Sequence, residues 1–464
     1  ERPRRRRTAS PGRADLPPAA CRVRGVAATY GAGYGWGAEL VRLPQTNPGI
    51  DWAFGSTVLG ILRDAPPSDS DDGREPLVVA IQGPEGARPV PARAVLVATG
   101  AYDLPVAIPG GTLPGVMMAG AVQSLLKAQK VLTAGPFVLA GGHPLLLVVA
   151  DQLVKAGAEV SELALNRRLP GPRELLGAAA ALPGHAAMLV EMAGSVRRLL
   201  AAGVKVRTNV VVTAATGGER VEHVELARRD ANGMPSGPRR VLPVGTLVLG
   251  YGFLPSTELA RQARCELRWD SPLGGWVVVH DGSQRTTVPG IYVAGEPTGV
   301  AGADQSRAEG TLAGLGIVAD LRGAGAVGAD EHDAALTAVA QAARFSRVVQ
   351  AMFEPDRAGL AALATPETIV CRCELVRRGD LDATLAANPE MFTVNAVKLE
   401  TRCGMGPCQG RYCESTLATV VAETRGQPRE VGGLFSAHFP VKPAPLESLV
   451  AMDALVVVDG VGEA

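Results

Sequence analysis

Five of the chain's seven cysteines fall between Cys371 and Cys413, in the stretch CRCELVRRGDLDATLAANPEMFTVNAVKLETRCGMGPCQGRYC. Packing does not require thiols gathered in this way, and a shared ligand does. Cys371 and Cys373 form a C-x-C pair. After a long gap Cys403, Cys408 and Cys413 recur at even spacing, among glycines that let backbone amides approach sulfur. Thiolates on iron suit this arrangement. A four-cysteine zinc site is the competing ligand, but zinc knuckles usually carry more than one residue between their cysteines at both ends. Disulfides fit less well, because the chain shows no secretory signal and its cysteine count is odd. An iron–sulfur group is therefore expected. On spacing alone, any two of Cys403, Cys408 and Cys413 could complete its ligands.

The rest of the chain is long enough, at 464 residues, for two to four domains around sizeable apolar cores. Its 46 basic and 46 acidic residues cancel, so no long-range field favours nucleic acid or an anionic membrane. Aromatic residues make up only 4%, which also argues against a base-stacking surface. One stretch, 131–150, has no formal charge and the length of a membrane span. It is broken by Gly135-Pro136 and by Gly141-Gly142-His143-Pro144, as a strand, turn and helix would need and a lipid-exposed helix would not tolerate. No transmembrane segment is expected.

Read in order, residues 1–44 form an arginine-, proline- and alanine-rich leader, expected to be disordered or divergent. Gly33, Gly35 and Ala38 spell a glycine turn there, but Pro44 leaves no room for the helix that should follow, so a loop is expected. Apolar runs divided by turn clusters then lead to a strand at 93–97 that ends in Thr99-Gly100, at the carboxyl edge where open α/β sheets bind ligands. Residues 137–160 read as strand, glycine turn, helix and second strand, the opening of a nucleotide-binding βαβ unit. Its turn is degenerate. Aligning Gly141 with the first fingerprint glycine puts His143 where backbone must reach a pyrophosphate and Leu146 at the third glycine. Gly142 and Pro144 complete a turn that is not expected to use NAD(P)H productively. An amphipathic helix near 188–203, a β-meander, and a buried strand at 246–250 follow. Cys265 lies in the helix-like RQARCELRW, as a packed or free thiol. Residues 290–294 form another strand, which delivers Gly295 and Glu296 to a sheet edge ahead of Gly302, Ala303 and a helix. A helical connector then precedes the cysteine stretch, and a proline-spaced tail follows it.

CRCELVRRGDLDATL together with AVKLETRCGMGPCQGRYC resembles the bacterioferritin-associated-ferredoxin-like [2Fe–2S] module fused to flavoprotein subunits of hydrogen cyanide synthase, opine oxidase and hydroxyproline dehydrogenase. The resemblance implies ligands at Cys371, Cys373, Cys408 and Cys413, with Cys403 spare. It implies an α/β, two-dinucleotide-binding-domain flavoprotein of Rossmann-like, three-layer build, with a small helical C-terminal [2Fe–2S] domain. The expected divisions are an FAD-binding domain at 45–135 and 251–345, a degenerate NAD-like domain at 136–250, and a helical connector at 346–365. The [2Fe–2S] domain follows at 366–426, and then a tail at 427–464 that packs on a partner or on the core. Thr99, Gly100, Gly295, Glu296, Gly302 and Ala303 are the expected flavin contacts, with Glu296 one methylene longer than the aspartate such flavoproteins use. The family's first glycine unit should stand at the start of the chain. Its absence implies truncation or divergence, and an FAD site that is weakened or holds another adenine nucleotide.

No nucleophile triad, paired catalytic carboxylates or ATPase-type phosphate loop is evident, so the chemistry belongs to cofactors that the protein positions and tunes. The resemblance implies an electron-transfer subunit of a heteromeric amine or imino-acid dehydrogenase, of hydroxyproline, opine or glycine type. It would relay electrons from a separate FAD-dependent oxidase-like subunit to an acceptor, with a small ferredoxin-like subunit as a further partner. The setting it implies is cytoplasmic, with peripheral association at the inner face of the membrane compatible. Two alternatives stand beside it: a self-sufficient NAD(P)H-dependent FAD oxidoreductase, and a non-catalytic scaffold holding a nucleotide and the cluster.

Overall fold

A computed structural model describes residues 21–22, 37, 40, 43, 47–63, 77–168, 171, 186–230, 233–450 and 452. The glycine turn at Gly33, Gly35 and Ala38 lies outside the described residues, as does most of the 1–44 leader.

The chain first builds a three-stranded antiparallel sheet from β1 (Thr57–Arg63), β2 (Leu77–Gly83) and β3 (Gly86–Ala92). Next come β4 (Val95–Val97) and β5 (Val116–Met118). The predicted βαβ unit follows as β6 (Phe137–Gly141), α1 (Leu145–Lys155) and β7 (Val160–Leu165). After α2 (Ala186–Ala201) and β8 (Lys205–Thr208), a meander of β9 (Val210–Thr216), β10 (His223–Arg229) and β11 (Pro235–Pro243) leads to β12 (Thr246–Gly250). The parallel sheet runs β8-β7-β6-β12-β5. Its central strands are apolar along their length because both faces are covered, as parallel sheets require. Phe137, Val138, Leu139 and Ala140 of β6 are buried completely or almost so, and each large side chain among them contributes about 1.5–3 kcal/mol of burial. The uncharged stretch 131–150 is thus strand, turn and helix. Among the described residues no helix is long and apolar enough to cross a membrane.

The chain returns through α3 (Glu258–Gln262), the hairpin β13 (Leu267–Asp270) and β14 (Gly275–Val278), and β15 (Ile291–Val293). Strand β15 pairs in parallel with β4, joining segments about two hundred residues apart into one sheet edge. Here the expected helix around Cys265 is corrected. Helix α3 stops before Arg264, which takes a left-handed φ of 62°, and Cys265 sits buried in the turn leading into β13. Long helices α4 (Ala303–Arg322) and α5 (Ala329–Met352) lead to short α6 (Arg357–Ala361). The C-terminal module is a small hairpin, β16 (Ile369–Cys371) and β17 (Val376–Arg377), with α7 (Arg378–Ala387), α8 (Val394–Thr401) and α9 (Glu414–Arg425). Its own core gathers Val370, Leu381, Leu385, Val394, Val397, Leu417 and Val421. The segment after it runs back across the first sheet, where Val441 N–H donates to Leu59 O and Met452 joins Leu59 and Ala80 in a buried cluster.

Candidate redox-cofactor sites

The cysteine stretch folds into two loops that meet edge to edge. Cys371 ends β16, Cys373 lies in the following turn, Cys403 follows α8, and Cys408 and Cys413 lead into α9. The sulfurs of Cys371, Cys403 and Cys413 all lie within 4.8 Å of one another and are buried. Cys373 is exposed and Cys408 half-buried, and hydrogen bonds link the two. Cys371 is held down at about 2 by hydrogen bonds from Cys403, then from Cys413, and further by the Gly404 and Glu374 amides. Cys403 and Cys413 are pushed upward because each shares its proton with a neighbouring thiolate. Such a set holds its charge as protons shared between sulfurs, the place that a cationic iron group would take when bound. The loops touch where Gly406 backs onto Cys373, with 2.0 Å between the Cys373 Cβ and the point where a Gly406 side chain would start. The donor chemistry fits a [2Fe–2S] group. Of the four expected ligands, Cys371 and Cys413 lie in the buried group that Cys403 completes, while Cys373 and Cys408 form a separate, more exposed pair beside it.

The cluster loop is tied to the flavin-type domain by two ion pairs of opposite polarity. Arg411, between Cys408 and Cys413, approaches Glu258 of α3 with Nε 3.1 Å from Oε1, and its other nitrogens donate to Cys408 O and Val441 O. In return, Arg261 of α3 donates to Glu414 Oε1 at 3.1 Å and to Phe435 O at 3.0 Å. These side chains are largely withdrawn from water, so breaking one partner would leave an uncompensated charge. Nothing in their sequence separation reveals the pairing.

The expected flavin contacts come together at the carboxyl ends of β4 and β15. Ala294 N–H donates to Val97 O, and Ser256 N–H donates to Gly100 O while Thr99 Oγ1 donates to Ser256 O. Gly295 turns the chain with φ 79°. Glu296 reaches forward so that its carboxylate accepts the Gly302 N–H at 2.9 Å, at the threshold of α4. Its pKa is raised by burial, against the pull of that amide and the Ala301 amide. The extra methylene therefore places this carboxylate on the helix start. Gly302 and Ala303 open α4 at an exposed edge. Sequence reading missed Glu309. It is 2% exposed and accepts from Gly295 N–H and Thr298 Oγ1, both at 2.8 Å, fixing the loop from below. The only available signal was an acid one and a half helical turns past the α4 start, which looks like an ordinary surface position. These residues fit the flavin end of an FAD.

The second nucleotide turn is closed on itself. Gly142 and His143 N–H both donate to Gly250 O, at 3.1 and 3.2 Å, across to β12. Leu145 N–H donates to His143 Nδ1 at 3.2 Å, Leu146 N–H donates to His143 O, and Pro144 has no N–H to offer. The donors that a dinucleotide's pyrophosphate would take at a helix start are consumed internally. Gly141 cannot be another residue, since its Cβ would lie 2.0 Å from Gly250 O. The imidazole of His143 sits edge-on to Phe253 and is pushed down to about 4 by burial. Beyond the turn, a cavity of about 780 Å³ opens among Gly142, Asn166, Arg229, Tyr251 and Phe353.

A family model described as pyridine nucleotide-disulphide oxidoreductase matches residues 16–310, and one described as BFD-like [2Fe–2S] binding domain matches 369–423. The chain is 36% identical over 416 residues to an opine oxidase subunit of Agrobacterium tumefaciens, covering 86% of this chain and 77% of that protein. It is 30% identical over 359 residues to hydrogen cyanide synthase subunit HcnB of Pseudomonas aeruginosa, covering 76% and 75%. Among solved structures, L-proline dehydrogenase from P. horikoshii shares the fold, with a TM-score of 0.58 at 20% identity. That likeness covers 85% of this chain and 64% of the other, a little under two thirds of its length.

Proposed function

This chain belongs to the pyridine nucleotide-disulphide oxidoreductase family and carries a BFD-like [2Fe–2S] binding domain, and from that premise we propose that it relays electrons within a heteromeric amine or imino-acid dehydrogenase. As an FAD-dependent oxidoreductase it is a flavin and iron–sulfur dehydrogenase subunit. The proposal concerns where its electrons come from: a separate flavoprotein subunit that oxidises a C–N bond, with an opine, hydroxyproline or glycine as substrate. The opine oxidase and hydrogen cyanide synthase relatives, each named as one subunit of its enzyme, support a multi-subunit setting of this kind.

One observation carries the reading. The Gly141–Pro144 turn spends its amides on Gly250 and on its own histidine, so none of them is left for a nicotinamide dinucleotide's pyrophosphate. A hydride donor bound in this chain is thereby disfavoured, and the source of electrons lies outside it. When bound, FAD supplies a site for paired electrons and the cluster a site for single ones. The chain's own residues do the placing. Cys371, Cys373, Cys408 and Cys413 hold the cluster, while Gly295, Glu296, Gly302 and Ala303, with Thr99 and Gly100, line the flavin. Glu309 keeps the Gly295–Thr298 loop in place, and the Arg411–Glu258 and Arg261–Glu414 pairs hold the cluster loop against the flavin-type domain.

The test is to purify the single chain anaerobically with its cofactors and assay opines, hydroxyproline and glycine with an artificial dye, then titrate it with NADH. The expected result is no substrate turnover and no rapid bleaching of flavin or cluster. Turnover by the isolated polypeptide would sink the partner requirement, and fast bleaching by NADH would restore the self-sufficient reductase.

A further inference from the structure

The seam between the cluster loops and α3 encloses a cavity of about 290 Å³. None of the cluster-loop cysteines and none of the expected flavin contacts lines it, so it is a site apart from both cofactors. Glu258 and Arg261 of α3, Gly404 of the cluster loop and Phe435 form its buried side, with Lys398 of α8 and Phe439 of the tail as further walls. The Gly404 N–H donates to Cys371 Sγ at 3.5 Å. An occupant touching this loop therefore stands one residue from a cluster sulfur.

Two buried polar atoms of the lining have no hydrogen-bond partner. Arg261 Nε donates to nothing, although its Nη1 serves Glu414 and Phe435 O. Glu258 Oε1 accepts no hydrogen bond, although Arg411 Nε lies 3.1 Å away and Glu258 Oε2 accepts from Ser256 Oγ. Burying such groups unpaired is costly. The two residues stand at i and i+3 on α3, where side chains are neighbours. Arg261 also borders a void of about 40 Å³, with room for water and for nothing larger, which Glu258 does not line.

Charge and shape narrow the occupant. Arg411 is matched by Glu258 and Arg261 by Glu414, which leaves the Lys398 ammonium, 4.8 Å from the centre of the Phe435 ring, as the uncompensated charge of the lining. A cation is disfavoured there, and so is a zwitterionic amino acid, whose ammonium would find both carboxylates already paired. The volume is at the small end of the roughly 300–1,000 Å³ that ligand sites span, enough for one substituted ring and not for a dinucleotide. Phe435 and Phe439 offer apolar faces to such a ring. Its polar edge meets an unused donor and an unused acceptor side by side. A quinone carbonyl accepts hydrogen bonds, and the hydroquinone hydroxyl made from it can donate one.

We propose that this cavity is the docking site of a quinone-type electron acceptor, an inference that rests on the relay function above. Reducing the quinone to a hydroquinone takes two electrons and two protons. The electrons arrive singly from the iron–sulfur group, which returns to its oxidised state each time. The protons come from water at the rim, where His438 is exposed. Lys398 offsets the negative charge of the half-reduced ring, and Glu258 accepts the hydroxyl of the product.

The experiment uses the full chain with its cofactors, purified anaerobically, and duroquinone, whose fully methylated ring cannot add to the cysteines. Equilibrium dialysis against the oxidised chain should show saturable binding of one duroquinone per chain. Ala437→Trp fills the cavity from the tail and should weaken binding by about tenfold or more while iron content stays at the parent level. When the photoreduced chain is mixed with duroquinone, cluster absorption should return at a rate that is half-maximal where the site is half-filled. Lys398→Gln should bind the uncharged quinone within about twofold of the parent, yet reoxidise its cluster roughly tenfold more slowly. No saturable binding in the parent, or binding that Ala437→Trp leaves unchanged, overturns the site. A reoxidation rate that rises linearly with duroquinone overturns the acceptor role. Failure of the relay reading looks different: the isolated chain would turn over substrate or be bleached by NADH, with duroquinone binding as expected.

Discussion

Replacing Gly406 with alanine tests whether the two cysteine loops form one rigid cradle. A Cβ added there would stand 2.0 Å from the Cys373 Cβ and 3.0 Å from its sulfur. Carbon atoms pack at about 3.5–4.0 Å, so the loops must part by roughly 1.5 Å. Ligand sets tolerate displacements of only about 0.5 Å before they lose their geometry. Overpacking of this kind costs about 1–3 kcal/mol. The Cys373 turn can absorb that cost because it is exposed, so the chain should still fold while cluster retention falls. The assay is iron and acid-labile sulfide per chain after anaerobic purification, with visible circular dichroism of what remains. Gly310→Ala is the control, since nothing lies within 4 Å of its added carbon in α4 and helix-interior alanine gains about 0.5–1 kcal/mol. Full iron and sulfide content with the parent spectrum in Gly406→Ala would refute the cradle.

Cys403→Ala should keep the visible spectrum of the cluster, whereas alanine at Cys371, Cys373, Cys408 or Cys413 should abolish it; loss of the spectrum in Cys403→Ala would mean that the fifth thiol is a ligand. Protonating His143 should destabilise the fold, because its pKa falls from an unfolded value of about 6.5 to about 4 in the native chain. The unfolded state then binds more protons between those values, so stability is intact above pH 6.5 and declines toward pH 4, by up to about 3 kcal/mol. Urea unfolding across this window checks it, and the His143→Gln variant should lose that part of the slope; an identical slope in both sinks the assignment. Glu309→Gln should cost about 1–3 kcal/mol through poorly satisfied Gly295 and Thr298 donors and release flavin on gel filtration, and parent-like flavin retention would argue that the loop stands without it.

How far these features could be read from the chain depended on how local their causes are. The βαβ unit at 137–165 was legible because a buried strand, a glycine turn and an apolar helix follow each other within one short stretch. That His143 stands where the fingerprint has its second glycine was also legible. That the turn's amides are already spent was not, because Gly250 lies on β12, far along the chain, and its carbonyl takes both the Gly142 and the His143 N–H. Cys265 was misplaced for a different reason. A short mixed run such as ARCELRW fits a helix or a strand equally well by periodicity, and the left-handed Arg264 that ends α3 leaves no mark in composition. Cys403 shows the limit of spacing: even intervals brought it into the cluster, and the fold brings it there too.

The polar junction between the modules follows a single logic that no motif encodes. Arg411 lies inside the cluster loop and Glu414 immediately after it, and both meet α3 of the flavin-type domain in reciprocal pairs. A displaced cluster loop would strand Glu258 and Arg261 as well as its own charges, and each stranded charge costs about 3–5 kcal/mol. That is more than the apolar contact of any one core side chain supplies. The reciprocal pairs therefore penalise a shifted docking of the module, alongside an apolar core around Leu381, Val397 and Leu417 that also takes in Ala107 of the flavin-type domain. Register of this kind suits electron transfer, which needs the two cofactor sites at a fixed separation. It also makes the junction sensitive to ions in a way that an apolar interface would not be.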